Sequence, residues 1–145
     1  MNKTKVIFIC THNAARSQMA EAFLRKYAGD HFDVYSAGFA PQPIHPLAVK
    51  VMKEIGIDIS SQQPKDLWQL IRNEYFGIAI TVCKKGEEED CPTIPGTSTR
   101  IYWNIEDPAV FKGTEEEKLT KFREVRDQID EKTKAWLKER GIKIN

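Results

Sequence analysis

Five consecutive apolar residues, Val6-Ile7-Phe8-Ile9-Cys10, are followed after only four residues by a helical pattern over residues 15–27. No other feature constrains the fold as much. The run lacks polar alternation, so it reads as a strand buried on both faces, the kind found in parallel sheets covered by helices. In the pattern that follows, Met19, Ala22, Phe23 and Tyr27 recur at helical spacing. Glu21 stands four residues before Arg25, and Gly29 closes the segment.

The alternation of strand and helix continues along the chain. Residues 33–36 read as a second strand closed by Ala37-Gly38, and the prolines of Pro41-Gln42-Pro43-Ile44 mark a loop. Pro46 suits a first helical turn, with Ala48, Val51, Met52 and Ile55 on one face before Gly56. A short helix over 66–71, a strand over 78–82 and a last strand near 100–103 follow. Thr114 and Glu117 form a capping box for a C-terminal helix whose apolar stripe is Leu119, Phe122, Val125, Ile129 and Trp136. This order predicts an α/β fold with a parallel sheet covered on both faces, in one domain spanning residues 1–145. Ligands of such sheets bind outside the carboxyl ends of the strands, where both Cys10 and Cys83 fall.

Charge narrows the function. Lys plus Arg number 22 against 21 for Asp plus Glu. A net charge of +1 argues against a general nucleic-acid binder, which needs a basic surplus to neutralise phosphates. The apolar run is too short to cross a bilayer and lacks the layout of a signal peptide, so the expectation is a soluble, cytoplasmic protein. No apolar stripe demands a dimer, and a monomer is expected. The three cysteines, Cys10, Cys83 and Cys91, are an odd number and do not suggest a disulfide framework. With three scattered histidines they do not supply four zinc ligands either. Buried inert thiols or reactive ones remain.

The segment Cys10-Thr11-His12-Asn13-Ala14-Ala15-Arg16-Ser17 joins the first strand to the first helix. A strand feeding a helix through a short turn aims successive backbone N–H groups at one spot, with the helix dipole behind them. That spot suits a tetrahedral oxyanion. Arg16 adds a bidentate fork, Cys10 a thiolate stabilised by the same amides, and Ser17 a hydroxyl able to donate to the sulfur. The bland alternative is a buried cysteine before a helix that happens to carry an arginine; its position between strand and helix favours the anion loop.

The segment CTHNAARSQMAE resembles the signature of the low-molecular-weight protein tyrosine phosphatase superfamily, and its SQMAE tail is similar to the thioredoxin-coupled arsenate reductases within it. Tyr35-Ser36-Ala37-Gly38, Trp103-Asn104-Ile105-Glu106-Asp107-Pro108-Ala109 and the pair Cys83 and Cys91 match as well. The resemblance implies a single-domain three-layer sandwich with a four-stranded parallel sheet, low-molecular-weight phosphatase-like. It implies that Cys10 attacks a bound oxyanion and that Asp107, which otherwise reads as an ordinary Asp-Pro turn, is the general acid. Its arsenate reductase branch implies a relay in which Cys10 forms an arseno adduct, Cys83 attacks Cys10, and Cys91 attacks Cys83. Thioredoxin would reduce the final Cys83–Cys91 disulfide, with arsenate as the small-molecule substrate.

The alternative is a phosphatase hydrolysing phosphoesters through a phosphocysteine. Against it, residue 109 is Ala where such phosphatases carry an aromatic residue, and Ala15 stands where they have a second cysteine. A third reading is a non-enzymatic redox or oxyanion sensor, which would need neither Arg16 nor Asp107. His12 replaces the usual glycine, a position where a positive φ would ask more of His than of Gly, and Ala14 replaces a common Ser. In some relatives potassium is held by residues matching Asn13, Ser36 and Asp66. Here the lengthened segment Ser61-Gln62-Gln63-Pro64-Lys65 lacks the expected Thr, so no firm metal or tightly bound cofactor is expected.

Overall fold

In the computed structural model, which describes residues 3–84, 97 and 99–144, Val6, Ile7, Phe8 and Ile9 are wholly buried. They form the middle of β1 (Thr4–Cys10). The chain continues through α1 (Arg16–Ala28), β2 (Phe32–Gly38), α2 (Pro46–Glu54), α3 (Leu67–Asn73), β3 (Ile78–Cys83) and β4 (Thr99–Asn104). A short 3-10 turn at Pro108–Val110 then precedes α4 (Glu115–Glu139). The four strands are all parallel, in the order β2-β1-β3-β4.

The period-two geometry of β1 divides the core. Val6 and Phe8 face a large cluster that includes Phe23 of α1, Met52 of α2 and Phe122, Val125 and Ile129 of α4. Ile7 and Ile9 face the opposite side, with Leu67 of α3, Phe76 and Ala79. The expected three-layer α/β sandwich around a four-stranded parallel sheet is therefore present. The capping box of α4 forms as expected, and Leu119, Phe122, Val125, Ile129 and Trp136 are all buried. A paired charge cluster ties α4 to α2: Arg123 grips Glu54, and Arg126 reaches both Glu54 and the Val51 carbonyl.

Two local expectations change. Helix α1 stops at the expected glycine, but Gly29 stays right-handed (φ −64°) and donates to the Arg25 carbonyl. The stop therefore does not depend on a left-handed residue. Strand β2 runs on to Gly38 because pairing with β1 holds it there, with Gly38 in register with Cys10. That extension matters for the segment that follows Cys10. A Cβ on Gly38 would lie 2.6 Å from the Thr11 carbonyl oxygen and 2.8 Å from the Asn13 nitrogen. Both are backbone atoms, so neither can swing aside. Gly38→Ala should destabilise the fold by about 1–3 kcal/mol, as overpacked cores do, and deform the loop beside it. Denaturant titration checks this; an unchanged midpoint would show that the loop yields freely.

Candidate active site

The loop after β1 is shaped from outside. Its carbonyl oxygens at Thr11, His12 and Ala14 accept from the amides of Ala40, Gln42 and His45, at 2.9, 3.0 and 2.9 Å. In a trans peptide the N–H points away from the C=O. The amides of His12, Asn13 and Ala15 therefore turn from that segment, and Asn13 N–H reaches the Cys10 sulfur at 3.2 Å. The left-handed residue of the loop is Asn13 (φ 51°), not His12. Asn tolerates that conformation, so the glycine-to-histidine departure at position 12 carries no strain. Helix α1 begins with Ala15 as its cap, has no side-chain cap bond and has no acidic residue in its first turn. Its dipole and first amides are left for an anion.

Behind the loop lies a buried polar network. Cys10 Sγ is 2.8 Å from Ser17 Oγ. Asn13 Nδ2 donates to Ser17 Oγ at 2.7 Å and to Ser36 Oγ at 3.0 Å. Ser36 donates to Glu21 Oε1 at 2.5 Å, and Gln18 Nε2 braces Asn13 through its side-chain and backbone oxygens. Gln18 and Glu21 belong to the SQMAE motif, but their buried roles do not follow from sequence spacing. Glu21 closes that motif and is the i,i+4 partner of Arg25, a pairing that is present at 2.7 Å. Its burial, with a side chain only 5% exposed, depends on neighbours from other elements.

The same network tests the implied potassium. Asn13 Oδ1 already accepts from Gln18 Nε2 and the Lys65 amide, both at 2.9 Å. Ser36 Oγ bridges Asn13 and Glu21, while Asp66 Oδ1 caps α3 through the amides of Trp68 and Gln69. Positive charge stands beside Glu21 in the form of Arg25 and of Lys65 Nζ at 3.4 Å. These residues do not fit a resident potassium ion. Among the described residues no group of three His, Cys, Asp or Glu side chains could hold a metal.

At the mouth of the loop is a cavity of about 80 Å³ lined by Cys10, His12, Arg16, His45, Asp107 and Ala109 among others. Arg16 is 2% exposed, and its Nη1 donates to the Ile105 carbonyl at 3.0 Å, which fixes the guanidinium plane. Its Nη2 lies 3.7 Å from Asp107 Oδ2. Asp107 Oδ1 accepts from the Ala109 amide at 3.0 Å. The turn reading of Asp107 is met by the oxygen that caps the 3-10 turn, while the other oxygen faces Arg16 in the cavity. His45, from the loop before α2, was not among the expected site residues. Burial pushes its pKa down, opposed by the Asp107 charge, while Lys118 lowers it and Glu115 raises it further.

The sulfurs divide by position. Cys10 is a free thiol at the end of β1. Cys83 ends the neighbouring strand β3, is wholly buried and is disulfide-bonded. The fold brings both cysteines to the same edge of the sheet. Cys91 and the polar run of residues 85–90 lie outside the described residues.

Comparison with known proteins agrees with this layout. A model of the low molecular weight phosphotyrosine protein phosphatase family matches residues 5–143. An arsenate reductase of Halalkalibacterium halodurans is 45% identical over 137 residues, covering 94% of this chain and 96% of the relative. A solved arsenate reductase in its phosphate-binding state superposes with a TM-score of 0.77 at 29% identity, covering 94% of this chain and 98% of that one. A thioredoxin-dependent arsenate reductase of Corynebacterium glutamicum is 33% identical with a TM-score of 0.69, covering 94% of this chain and 61% of that one. With an anion loop, a buried arginine and an Asp-Pro turn in one cavity, this chain belongs to the low molecular weight phosphotyrosine protein phosphatase family, alongside its arsenate reductase relatives.

Proposed function

We propose that this protein is an enzyme that reduces arsenate to arsenite through a cysteine relay. The observation that carries the reading is the placement of Cys10 and Cys83 at the ends of adjacent parallel strands, with Cys10 inside the anion loop. Arsenate sits against the loop amides and Arg16. The Cys10 thiolate attacks arsenic, and an arsenate oxygen leaves as water after Asp107 supplies a proton. In the reduced protein, where the disulfide at Cys83 is open, the Cys83 thiolate then attacks the Cys10 sulfur. The S–As bond breaks with its electron pair left on arsenic, which departs as arsenite, and a Cys10–Cys83 disulfide remains. Cys91 attacks Cys83, releases Cys10 as thiolate and leaves a Cys83–Cys91 disulfide. An external dithiol restores it, and thioredoxin is the reductant named for the Corynebacterium relative. A reducing cytoplasm suits this cycle. Among the described residues no helix is long and apolar enough to cross a membrane.

Phosphoester hydrolysis is the second reading, favoured by the family match and by the fact that Cys10, Arg16 and Asp107 alone suffice for it. The cavity speaks for the first reading. Ala109 stands at its edge, and among the described residues no Phe, Tyr or Trp lines it to receive an aryl group.

Cys10→Ser should lower arsenate turnover by roughly three orders of magnitude or more, since the nucleophile is lost. Cys83→Ala should form the arseno adduct once, stop multiple turnover, and leave aryl phosphate hydrolysis largely intact. NADPH oxidation coupled through thioredoxin and its reductase checks both. Sustained arsenate-dependent oxidation by Cys83→Ala would remove the relay. Hydrolysis with no arsenate-dependent oxidation in the wild type would make the enzyme a phosphatase.

We further propose that potassium is not required, because the protein's own cations neutralise Glu21. A cation bound only to the folded state would raise the thermal midpoint. Exchanging sodium chloride for potassium chloride at equal ionic strength should leave both the midpoint and the turnover unchanged. A potassium-specific rise in either would overturn this.

A further inference from the structure

His45 belongs to the cavity yet has no part in the relay. Its imidazole is held on three sides. The backbone N–H donates to the Ala14 carbonyl at 2.9 Å, joining it to the anion loop. Nδ1 accepts from the Leu47 amide at 3.1 Å, capping α2. The ring lies against Phe122 of α4, with centroids 4.7 Å apart. The Leu47 amide can donate only to an unprotonated Nδ1, so a neutral ring carries its proton on Nε2. Nε2–H has no acceptor among the described residues, and it is not sealed in the core, because the ring is only half-buried and lines the cavity.

The other walls sharpen the point. Ala14 and Ala15, which also line the cavity, offer no side-chain donor. His12, Arg16 and Gln42 do, but of these three it is Arg16 whose side chain is anchored, by the Ile105 carbonyl. Arg16 and His45 are therefore two lining donors whose planes are set before an anion arrives. A donor held in place in advance costs little ordering entropy on binding.

We propose that His45 is a positioning residue for the oxyanion, donating from Nε2–H to one oxygen of the bound tetrahedral anion while its Nδ1 caps α2. This rests on the reading of the loop as an oxyanion site. It assigns to the segment before α2 a share in substrate recognition beside its structural one. The two ring nitrogens divide the tasks, so substitution can separate them.

His45→Asn keeps a capping oxygen for the Leu47 amide, but its amide nitrogen is one bond shorter in reach than Nε2. His45→Gln restores the reach and weakens the cap. Inorganic phosphate is the probe, titrated calorimetrically into the reduced full-length protein, with thermal melts and arsenate kinetics in parallel. His45→Asn should melt close to wild type and bind phosphate about tenfold more weakly, the scale of one lost hydrogen bond to a charged group. The loss should fall on KM for arsenate rather than on kcat. His45→Gln should melt lower yet recover part of the phosphate affinity. Wild-type phosphate affinity in His45→Asn would overturn the proposal, as would variants in which affinity simply follows melting temperature. A wild-type protein that neither binds phosphate nor turns over arsenate would instead remove the oxyanion site itself, and this proposal with it.

Discussion

The site depends on the outward tethering of three loop carbonyls. Thr11, His12 and Ala14 give their oxygens to the amides of Ala40, Gln42 and His45, and the planarity of each peptide then turns the next N–H the opposite way. An isolated eight-residue loop would have no reason to converge its amides, since each gains as much from water. Here the segment beyond β2 makes the choice, and Gly38 lets it come close enough to do so. The uncapped start of α1 belongs to the same logic. A Ser or Asp in place of Ala15 would satisfy one of the first amides and withdraw it from the anion.

Topology places the second thiol. The chain leaves β1 toward β2 on one side and returns to β3 on the other, so the connections diverge and leave a crevice at the carboxyl ends. Cys10 and Cys83 border that crevice although they are far apart in sequence. The segment after β4 completes it from the far side: the Ile105 carbonyl fixes Arg16, and Asp107 closes the wall. One end of the sheet thus gathers Cys10, Arg16, Asp107 and a second sulfur, that of Cys83. Chemistry at an oxyanion needs the first three, while a two-electron reduction needs the fourth as well.

Much of this was legible in the chain, for reasons that can be named. Val6 to Ile9 lacked alternation because both faces of β1 are covered, and the α4 stripe followed from burial on one side. Cys10, Asn13, Arg16, Ser17 and Asp107 could be found because strand, loop, helix and turn follow one another locally. Glu21, Gln18, Lys65 and His45 were not legible in those roles. Each acquires its role from a partner on another element: Glu21 from Ser36, Gln18 from Gln63, Lys65 from Asn13, and His45 from Phe122. Gly38 looked like the end of a strand, and only the approach of Thr11 explains why no side chain fits. Local patterning carries information about what a residue can do, but it does not show what will be packed beside it.

The buried network behind Cys10 illustrates how much such packing decides. The Asn13 Nδ2 group can only donate, so Ser36 accepts from it and gives its own hydroxyl proton to Glu21. The Asn13 amide spends its second proton on Ser17, which leaves the Ser17 hydroxyl to donate to the Cys10 sulfur. The orientation of the Asn13 amide, fixed by the Gln18 and Lys65 N–H groups on its Oδ1, sets which way the bonds to Ser36 and Ser17 run. Arg25 at 2.7 Å and Lys65 at 3.4 Å offset the burial of Glu21, so the far end of the network is balanced by cations the protein itself supplies.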